Sequence, residues 1–458
     1  MKKKQVAVRE KRLRATGAFY STWGKYQEEC EQGTYVRRIR TFSQDQFSDL
    51  QYVLFLLSRM PHTDIVIHGP RGCLSRLPLS GPCARGASHW SVTDLNEKDI
   101  ILGGAGKLRE TIRRLHESRG SSRIFVLTTP PVNINGDDAE TEVGELEREL
   151  GIPIILIRTT GFRSRLGITG YDEALDVLAD CFGGGETFPR DPYVNVISVS
   201  EQVQELEDAG RFLNELGFAV NLLPNLAGER QFRLAPGAKA SIVLNPDEGG
   251  LLADYLEQRY QVPALVPDAP VGFQNTQRWE QALALALDKP AVEDREVQPD
   301  DSLRGLRVYL QAVPFHAAVC KRFLEDWGAE VCGISVPYLG RQAARNVHEK
   351  ALLEPDIPIH VAQGQNFELD HLLRQFAPDV LLTEGNGFIP ALRSGIPAVF
   401  LEETGVLGRS AAGRILERMG KVRRNPAFCR LLADGQEDIY TASWRKKRVD
   451  WHIKQEVL

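Results

Sequence analysis

Several features that would assign this chain of 458 residues to a simple class are missing from its sequence. No apolar run reaches the length of a membrane-spanning helix, and the basic N-terminus lacks the apolar core of a secretory signal peptide. The formal net charge is -5, so no general positive field indicates nucleic acid or an anionic membrane as a partner. We therefore expect a cytoplasmic protein that binds neither nucleic acid nor membrane.

The cysteines do not form a recognisable framework. Seven of them are scattered along the chain, without a Cys-x-x-Cys pair and without a closely spaced Cys/His set. This pattern excludes a disulfide scaffold and a zinc site of the usual kind. Cys320 and Cys332 lie in apolar stretches, and we expect both to be buried. Any metal site of this chain therefore needs ligands from a second chain.

Common cofactor and catalytic motifs are also absent. Gly103 to Lys107 resembles a phosphate-binding loop, but Leu108 follows where such a loop needs Ser or Thr. The glycine-rich pieces 183–185 and 385–387 do not match the dinucleotide fingerprint, and no Ser/His/Asp order is recognisable. Nucleoside triphosphate binding is excluded, and dinucleotide binding would be supported only by analogy of fold.

What the sequence does contain is a repeated alternation of strands and helices. Residues 193–197 predict a buried strand, and 202–216 predict a helix that ends at Gly217. The stretch 212–220 resembles 323–331, so the same βαβ plan occurs twice. In the first 190 residues, predicted strands and helices also alternate, but less regularly.

We therefore predict an α/β protein with three Rossmann-like, doubly wound domains and parallel sheets. The predicted division is an N-terminal extension (1–40), a domain near the candidate ligand (41–190), a second domain (191–290), a linker (288–303) and a third domain with C-terminal helices (300–458). In such sheets, ligands bind beyond the carboxyl ends of the strands.

One such strand end carries a cysteine. The apolar run that begins at Asp64 breaks at His68 and Gly69, and Gly72 and Cys73 follow. A cysteine chosen blindly is more often a buried loop residue, but flanking glycines leave room for a ligand, and the N–H groups of a tight turn can donate to cluster sulfides. Cys83 is a weaker candidate.

Other polar residues near these loops favour structural roles. His68 and His89 are interpreted as hydrogen-bonding groups rather than as ligands. Asp137 and Asp138 precede a predicted helix, so a capping role is favoured over acid–base chemistry.

These segments together resemble nitrogenase component 1-like proteins, a superfamily that includes nitrogenase subunits, cofactor-assembly scaffolds, protochlorophyllide reductases and methylthio-alkane reductases. The resemblance covers about residues 40 to 430 and rests on the segments 68–73, 93–104 with Lys107 and Leu108, 128–138, Gly161 with Phe162, 379–387 and 395–397.

The resemblance implies an oxidoreductase subunit in an α₂β₂-type assembly, with a 4Fe–4S cluster shared with a homologous α-type subunit and electrons supplied by an ATP-dependent iron protein. It implies that Cys73 is a cluster ligand, within the loop of His68, Gly69 and Gly72. Members that supply more ligands have an earlier cysteine and another where this chain has Pro130. This chain therefore resembles the β-like subunits that donate one ligand, or two if Cys83 takes part.

The same resemblance limits the function. Cofactor-binding subunits have a cysteine where this chain continues into Asn245, and 402–418 contains no histidine to act as the second ligand. We therefore do not expect this chain to reduce dinitrogen itself. The leading hypothesis is a reductase subunit that relays electrons. The alternatives are an assembly scaffold that binds a cluster precursor without turnover, and a structural relative without a cluster.

Overall fold

The structure of the protein is a computed structural model. It describes residues 17, 19–34, 49–58, 60, 63–74, 89–160, 174, 175, 177–179, 192–198, 203–224, 227–293, 297–339, 347, 353–362, 364–385, 387–434, 440–449, 451 and 453. The chain begins, within these residues, with three short elements: β1 (Tyr20–Thr22), α1 (Trp23–Glu31) and α2 (Asp49–Ser58).

The first sheet and its helices span residues 64–158. The elements are β2 (Asp64–His68), a 3₁₀ turn (Arg71–Leu74), β3 (His89–Val92), α3 (Glu97–Leu102), α4 (Ala105–Arg119), β4 (Ile124–Thr128), α5 (Pro130–Asn135), α6 (Ala139–Leu150) and β5 (Ile154–Arg158). The four strands are parallel, in the order β3–β2–β4–β5. Strands β2 and β4 are buried along their whole length, as expected for apolar runs covered on both faces.

The second sheet and its helices span residues 193–286. The elements are β6 (Tyr193–Ser198), α7 (Val203–Glu215), β7 (Ala219–Pro224), α8 (Glu229–Leu234), a 3₁₀ turn (Ala235–Gly237), β8 (Ser241–Val243), α9 (Pro246–Tyr260), β9 (Ala264–Leu265) and α10 (Gly272–Ala286). The strands are again parallel, in the order β7–β6–β8–β9. Helix α7 is followed by Gly217 with φ +84°, which confirms the predicted end of that helix.

The third sheet is the largest. Its elements are β10 (Arg307–Gln311), α11 (Pro314–Asp326), β11 (Glu330–Val336), β12 (Pro358–Val361), α12 (Asn366–Phe376), β13 (Val380–Thr383), α13 (Phe388–Arg393) and β14 (Ala398–Phe400), followed by α14 (Leu401–Thr404), α15 (Gly408–Arg424), α16 (Pro426–Asp434) and α17 (Ala442–Arg445). The strand order is β1–β12–β11–β10–β13–β14.

The N-terminal strand differs from the others in this sheet. Strand β1 pairs antiparallel with β12, with Tyr20 opposite His360, whereas the remaining neighbours are parallel. Trp23 and Tyr26 of α1 are buried in the core beneath the sheet. Residues 20–31, which the sequence suggested only as part of an extension, thus supply an edge strand and core side chains to the third sheet.

The second sheet lies between the other two and packs on both. One of its faces, with Val194 and Ile242, shares a core with Val308 and Leu382 of the third sheet. The opposite face, with Ile197 and other side chains, shares a core with the first sheet. The predicted α/β fold with parallel sheets is confirmed, and we refer to the three sheets with their helices as layers. The shared cores make the layers mutually dependent.

A buried carboxylate fixes the second and third sheets to each other. Glu205, near the start of α7, accepts hydrogen bonds from the backbone N–H groups of Val406 and Leu407, the latter at 2.9 Å. Nearby, Arg409 pairs with Glu280 on α10. Because Glu205 is buried, these contacts are shielded from water and anchor the loop that precedes α15.

We predict that Glu205→Ala lowers the free energy of unfolding by about 1–3 kcal/mol, because two buried N–H groups lose their acceptor. Glu207→Ala, an exposed position on the same helix, is the matched control and should change it by less than about 0.5 kcal/mol. Urea titration of both variants measures the difference. Equal effects of the two substitutions would show that the Glu205 contact does not hold the layers together.

Candidate functional site

Three loops meet at the carboxyl edge of the first sheet. Strands β3, β2 and β4 are adjacent and parallel, with His68 at the end of β2 aligned with Thr128 at the end of β4. The loops that follow them contain residues 69–74, 93–96 and 129–138. Three of the sequence segments that carried the family resemblance in this domain, 68–73, 93–104 and 128–138, are therefore neighbours in space.

His68 is the centre of this edge. Its side chain is fully buried, with Nδ1 3.2 Å from Thr93 Oγ1 and Nε2 3.1 Å from Asp137 Oδ2. Burial lowers the pKa of His68, although the Asp137 carboxylate acts in the opposite direction. A neutral ring fits this network if Nε2–H donates to Asp137 and Nδ1 accepts from the Thr93 hydroxyl. This confirms the expectation that His68 is a hydrogen-bonding residue.

Asp137 has a different role from the one its sequence suggested. Its Oδ2 accepts both from His68 and from the backbone N–H of Gly104, the latter at 2.8 Å. The capping role belongs to Asp138 alone, whose side chain accepts from Thr141 N at 3.2 Å at the start of α6. The prediction that both carboxylates cap the helix is wrong for Asp137, because Gly136 turns the chain and directs that residue towards β2. We call His68, Thr93, Gly104 and Asp137 the His68 clamp.

Two glycines allow the close packing of these loops. A Cβ on Gly69 would lie 1.9 Å from Thr129 Oγ1, and a Cβ on Gly104 would lie 2.7 Å from the His68 ring. Neither position has room for a side chain, so glycine is required there by close approach. By contrast, a Cβ on Gly72 would meet no described atom within 4 Å.

Cys73 lies on the 3₁₀ turn that follows Gly69 and Pro70. Its backbone N–H donates to Pro70 O at 3.1 Å, and its free thiol is half-buried at the border of the core shared by the first and second sheets. Burial raises the pKa of the Cys73 thiol, while contact with the Thr129 hydroxyl lowers it. Cys73 is thus only partly buried, and its thiol contacts Thr129.

The other candidate residues have separate outcomes. Cys83, Gly161 and Phe162 lie outside the described residues. Cys320 and Cys332 are buried, as predicted, and burial raises the pKa of Cys332 to about 11. Within the described part of the chain, no three His, Cys, Asp or Glu side chains converge as metal ligands.

An exposed apolar surface lies beside this site and was not singled out from the sequence. Ile101 and Leu102 end α3 and are each 73% exposed, and Ile134 on α5 is 74% exposed. The two helices are in contact, and the Asn135 amide donates to Ile100 O at 2.5 Å. We call these three residues the apolar patch. Large apolar residues at the end of the charged helix 97–102 were the available sequence clue.

The second and third sheets meet at a polar cluster away from Cys73. His316 Nδ1 lies 2.6 Å from Glu384 Oε1, and Asp247 accepts from Phe315 N at 2.9 Å. Asn245 caps α9, where its Oδ1 accepts from Asp247 N at 3.0 Å. A structural role therefore accounts for the asparagine in the position where cofactor-binding relatives were expected to have a cysteine.

None of the helices in the described ranges combines the length and the apolar character that crossing a bilayer requires.

Comparison with known proteins identifies the family. The sequence profile of the nitrogenase component 1 type oxidoreductases matches residues 53–406. NifE of Methanococcus maripaludis, a nitrogenase iron-molybdenum cofactor biosynthesis protein, is 26% identical over 368 residues, which are 74% of each chain. The nitrogenase molybdenum-iron protein alpha chain of Methanothermobacter marburgensis is 23% identical over 370 residues, or 73% of this chain and 77% of that one.

The fold agrees with this match. The solved structure of nitrogenase Cp1 at pH 6.5 superimposes with a TM-score of 0.69 at 16% identity, covering 89% of this chain and 98% of that chain. At this identity the likeness shows the fold alone. The profile match extends over most of the sequence and includes the loops that meet at the His68 clamp. The chain therefore belongs to the nitrogenase component 1 type oxidoreductase family.

Proposed function

We propose that this chain is one subunit of a nitrogenase-like reductase and that Cys73 donates one thiolate to a 4Fe–4S cluster shared with a homologous α-type subunit. The observation that carries the proposal is the half-buried free thiol at the carboxyl edge of the first sheet, on a turn fixed by its neighbours. When bound, the cluster would supply one-electron transfer. The remaining ligands would come from the homologous subunit.

The residues around Cys73 fit this role. Gly69 lets the turn lie against Thr129, and the space beside Gly72 is free of described atoms, so a bulky inorganic group has an approach path. The carbonyl oxygen of His68 accepts a hydrogen bond from Thr129 N at 3.0 Å and so fixes Thr129 next to the turn. The loop formed by His68, Gly69 and Gly72 is thus the proposed cluster-binding loop, and Cys83 is the weaker candidate for a second ligand.

The apolar patch is the proposed docking surface for the electron donor, an ATP-dependent iron protein. Electron transfer requires the donor to bind close to the acceptor. The patch meets this condition because α5, which carries Ile134, begins at Pro130, directly after the residue that contacts Cys73. Exposed apolar residues of this size within one surface are typical of a protein interface.

A cofactor-assembly scaffold is the second candidate. The 26% identity to NifE over 74% of both chains favours it, and such a subunit would use the same thiolate to hold a cluster precursor. Omission of this chain from a reconstituted complex separates the two functions. If product forms only when the chain is present during turnover, the chain acts in the reductase. If the chain is needed only during maturation, it acts as a scaffold.

We predict that Cys73→Ala and Cys73→Ser lower the retention of iron by the complex with the homologous subunit. Loss of one hydrogen bond behind a ligand already costs about 10–100-fold in metal affinity, and loss of a ligand should cost at least as much. Iron analysis and EPR of the anaerobically purified complex measure the effect. Cys429→Ser, at another half-buried free thiol, is the control. A Cys73 variant with unchanged iron and EPR would refute the proposal.

We predict that alanine substitutions at Gly69 and Gly72 have different effects, the first on stability and the second on iron content. Gly69→Ala should lower the free energy of unfolding by about 1–3 kcal/mol, because its Cβ would overlap the Thr129 side chain. Gly72→Ala should fold normally yet lower iron content, since its methyl group would occupy only the space that the cluster needs. Gly144→Ala, on α6, should alter neither property adversely. Full iron content in Gly72→Ala would mean that the cluster does not approach past this residue.

Placing a charged residue in the apolar patch tests whether the iron protein binds there. Ile101→Asp should raise the concentration of iron protein needed for half-maximal electron transfer by about tenfold, as for a residue at the centre of an interface. Leu285→Asp, an 81% exposed leucine on α10, is the matched control. Stopped-flow oxidation of the reduced iron protein measures both. The assignment of the surface fails if the two variants behave alike.

A further inference from the structure

We propose that Asp137 is a positioning residue that couples docking of the electron donor on the apolar patch to the geometry of the Cys73 loop. The inference rests on the proposed function and adds a residue that is neither a cluster ligand nor a part of the docking surface. Its basis is that one carboxylate oxygen joins two chain segments, the end of β2 through His68 and the α3–α4 junction through Gly104.

The connection to Cys73 runs through His68 and Thr129. Asp137 holds the His68 ring, and the His68 carbonyl accepts from both the N–H and the hydroxyl of Thr129, each at 3.0 Å. Thr129 is also the polar side chain that contacts the Cys73 thiol. On the other side of the ring, Thr93 accepts from Gly69 N at 2.9 Å. A displacement of Asp137 therefore reaches Gly69, which precedes the turn, and the thiol of Cys73 on the turn.

The connection to the apolar patch is shorter. Gly104, whose N–H donates to Asp137 at 2.8 Å, follows Leu102 by two residues. Ile134 precedes Asp137 by three residues. Between them lie Asn135 and Gly136, and the backbone of Gly136 has the left-handed conformation. A protein that presses on Leu102 or Ile134 therefore acts on the two backbone segments that Asp137 connects.

Packing in the clamp leaves little freedom to absorb such a movement. A Cβ on Gly104 would lie 2.7 Å from His68 Cε1 and 3.0 Å from Asp137 Oδ2, so the backbone already touches both side chains. Close-packed interiors transmit displacement instead of dissipating it. The carboxylate is also nearly inaccessible, with 9% exposure, so water cannot replace the lost contact at little cost.

A purely structural role for Asp137 makes a different prediction. In that case its loss would weaken folding, much as loss of the neighbouring cap Asp138 would, and would leave the rate of electron transfer in the assembled complex unchanged. Coupling instead predicts a lower maximal rate with donor binding preserved, because the donor still finds its surface while the acceptor is misplaced. The two readouts separate the roles.

The test uses the full complex with the homologous subunit and stopped-flow mixing with reduced iron protein and ATP. One electron leaves the iron protein for each transfer event and is accepted within the complex. We expect Asp137→Ala to lower the maximal transfer rate by about 10- to 100-fold, with less than about a twofold change in half-saturating iron protein. Asp137→Asn, which keeps an acceptor oxygen of similar size, should restore much of the rate. Asp138→Ala should leave both parameters unchanged.

The outcomes are distinguishable. An unchanged maximal rate in Asp137→Ala, or equal losses in Asp137→Ala and Asp138→Ala, would overturn the coupling. A change confined to the half-saturating concentration would also overturn it, because Asp137 would then act through docking alone. If Asp137→Ala does not assemble, Asp137→Glu, which keeps the carboxylate but moves it by one methylene group, is judged by the same criteria. Failure of the proposed function is recognised separately, by normal iron and EPR in the Cys73 variants.

Discussion

The geometry around Cys73 depends on the hydrogen bond between buried His68 and Asp137. A carboxylate removed from water is costly unless donors satisfy it, and here the His68 ring and Gly104 N–H both donate to the same oxygen. Burial lowers the pKa of His68, and a neutral ring has one donor and one acceptor nitrogen. In such a ring, Nε2–H donates to Asp137 and Nδ1 accepts from the Thr93 hydroxyl. The His68 ring thus joins the end of β2 to the loops that carry Thr93 and Asp137.

Elements that are defined by a local run of apolar residues or by a capping glycine could be predicted from the sequence. Strands β2 and β6 and helix α7 lie within a residue or so of their predicted ranges, because apolar runs and a capping glycine define them locally. Strand β1 could not be found in this way, since its partner β12 lies more than 300 residues further along the chain. Likewise, the sequence placed the loops of the site at one edge, but the contact from Asp137 to His68 spans 69 positions and depends on tertiary packing.

Two kinds of similarity point to different subunit types. The count of ligands, with Cys73 present and Pro130 in place of a cysteine, favours a β-like subunit that completes a cluster. The named relatives are NifE and an alpha chain, and their similarity extends over about three quarters of the chain. Sequence identity along the whole chain mostly reflects residues that pack the sheets and helices. The number of cluster ligands depends on whether a cysteine stands at a few single positions. The β-like role is therefore an inference about the site and not about overall similarity.

The protonation of Cys73 bears on how the proposed cluster site would be assembled. Burial raises the pKa of this thiol, so at neutral pH the isolated chain holds it as the neutral form, and a metal must displace a proton to bind. One protonated ligand on a surface has little ability to capture iron. In the proposed complex, a homologous subunit that already held most of the cluster would change this balance, because the positive charge of the iron favours the thiolate at close range. The half-buried position of Cys73 thus suits a ligand that binds last, when two folded subunits close around a cluster.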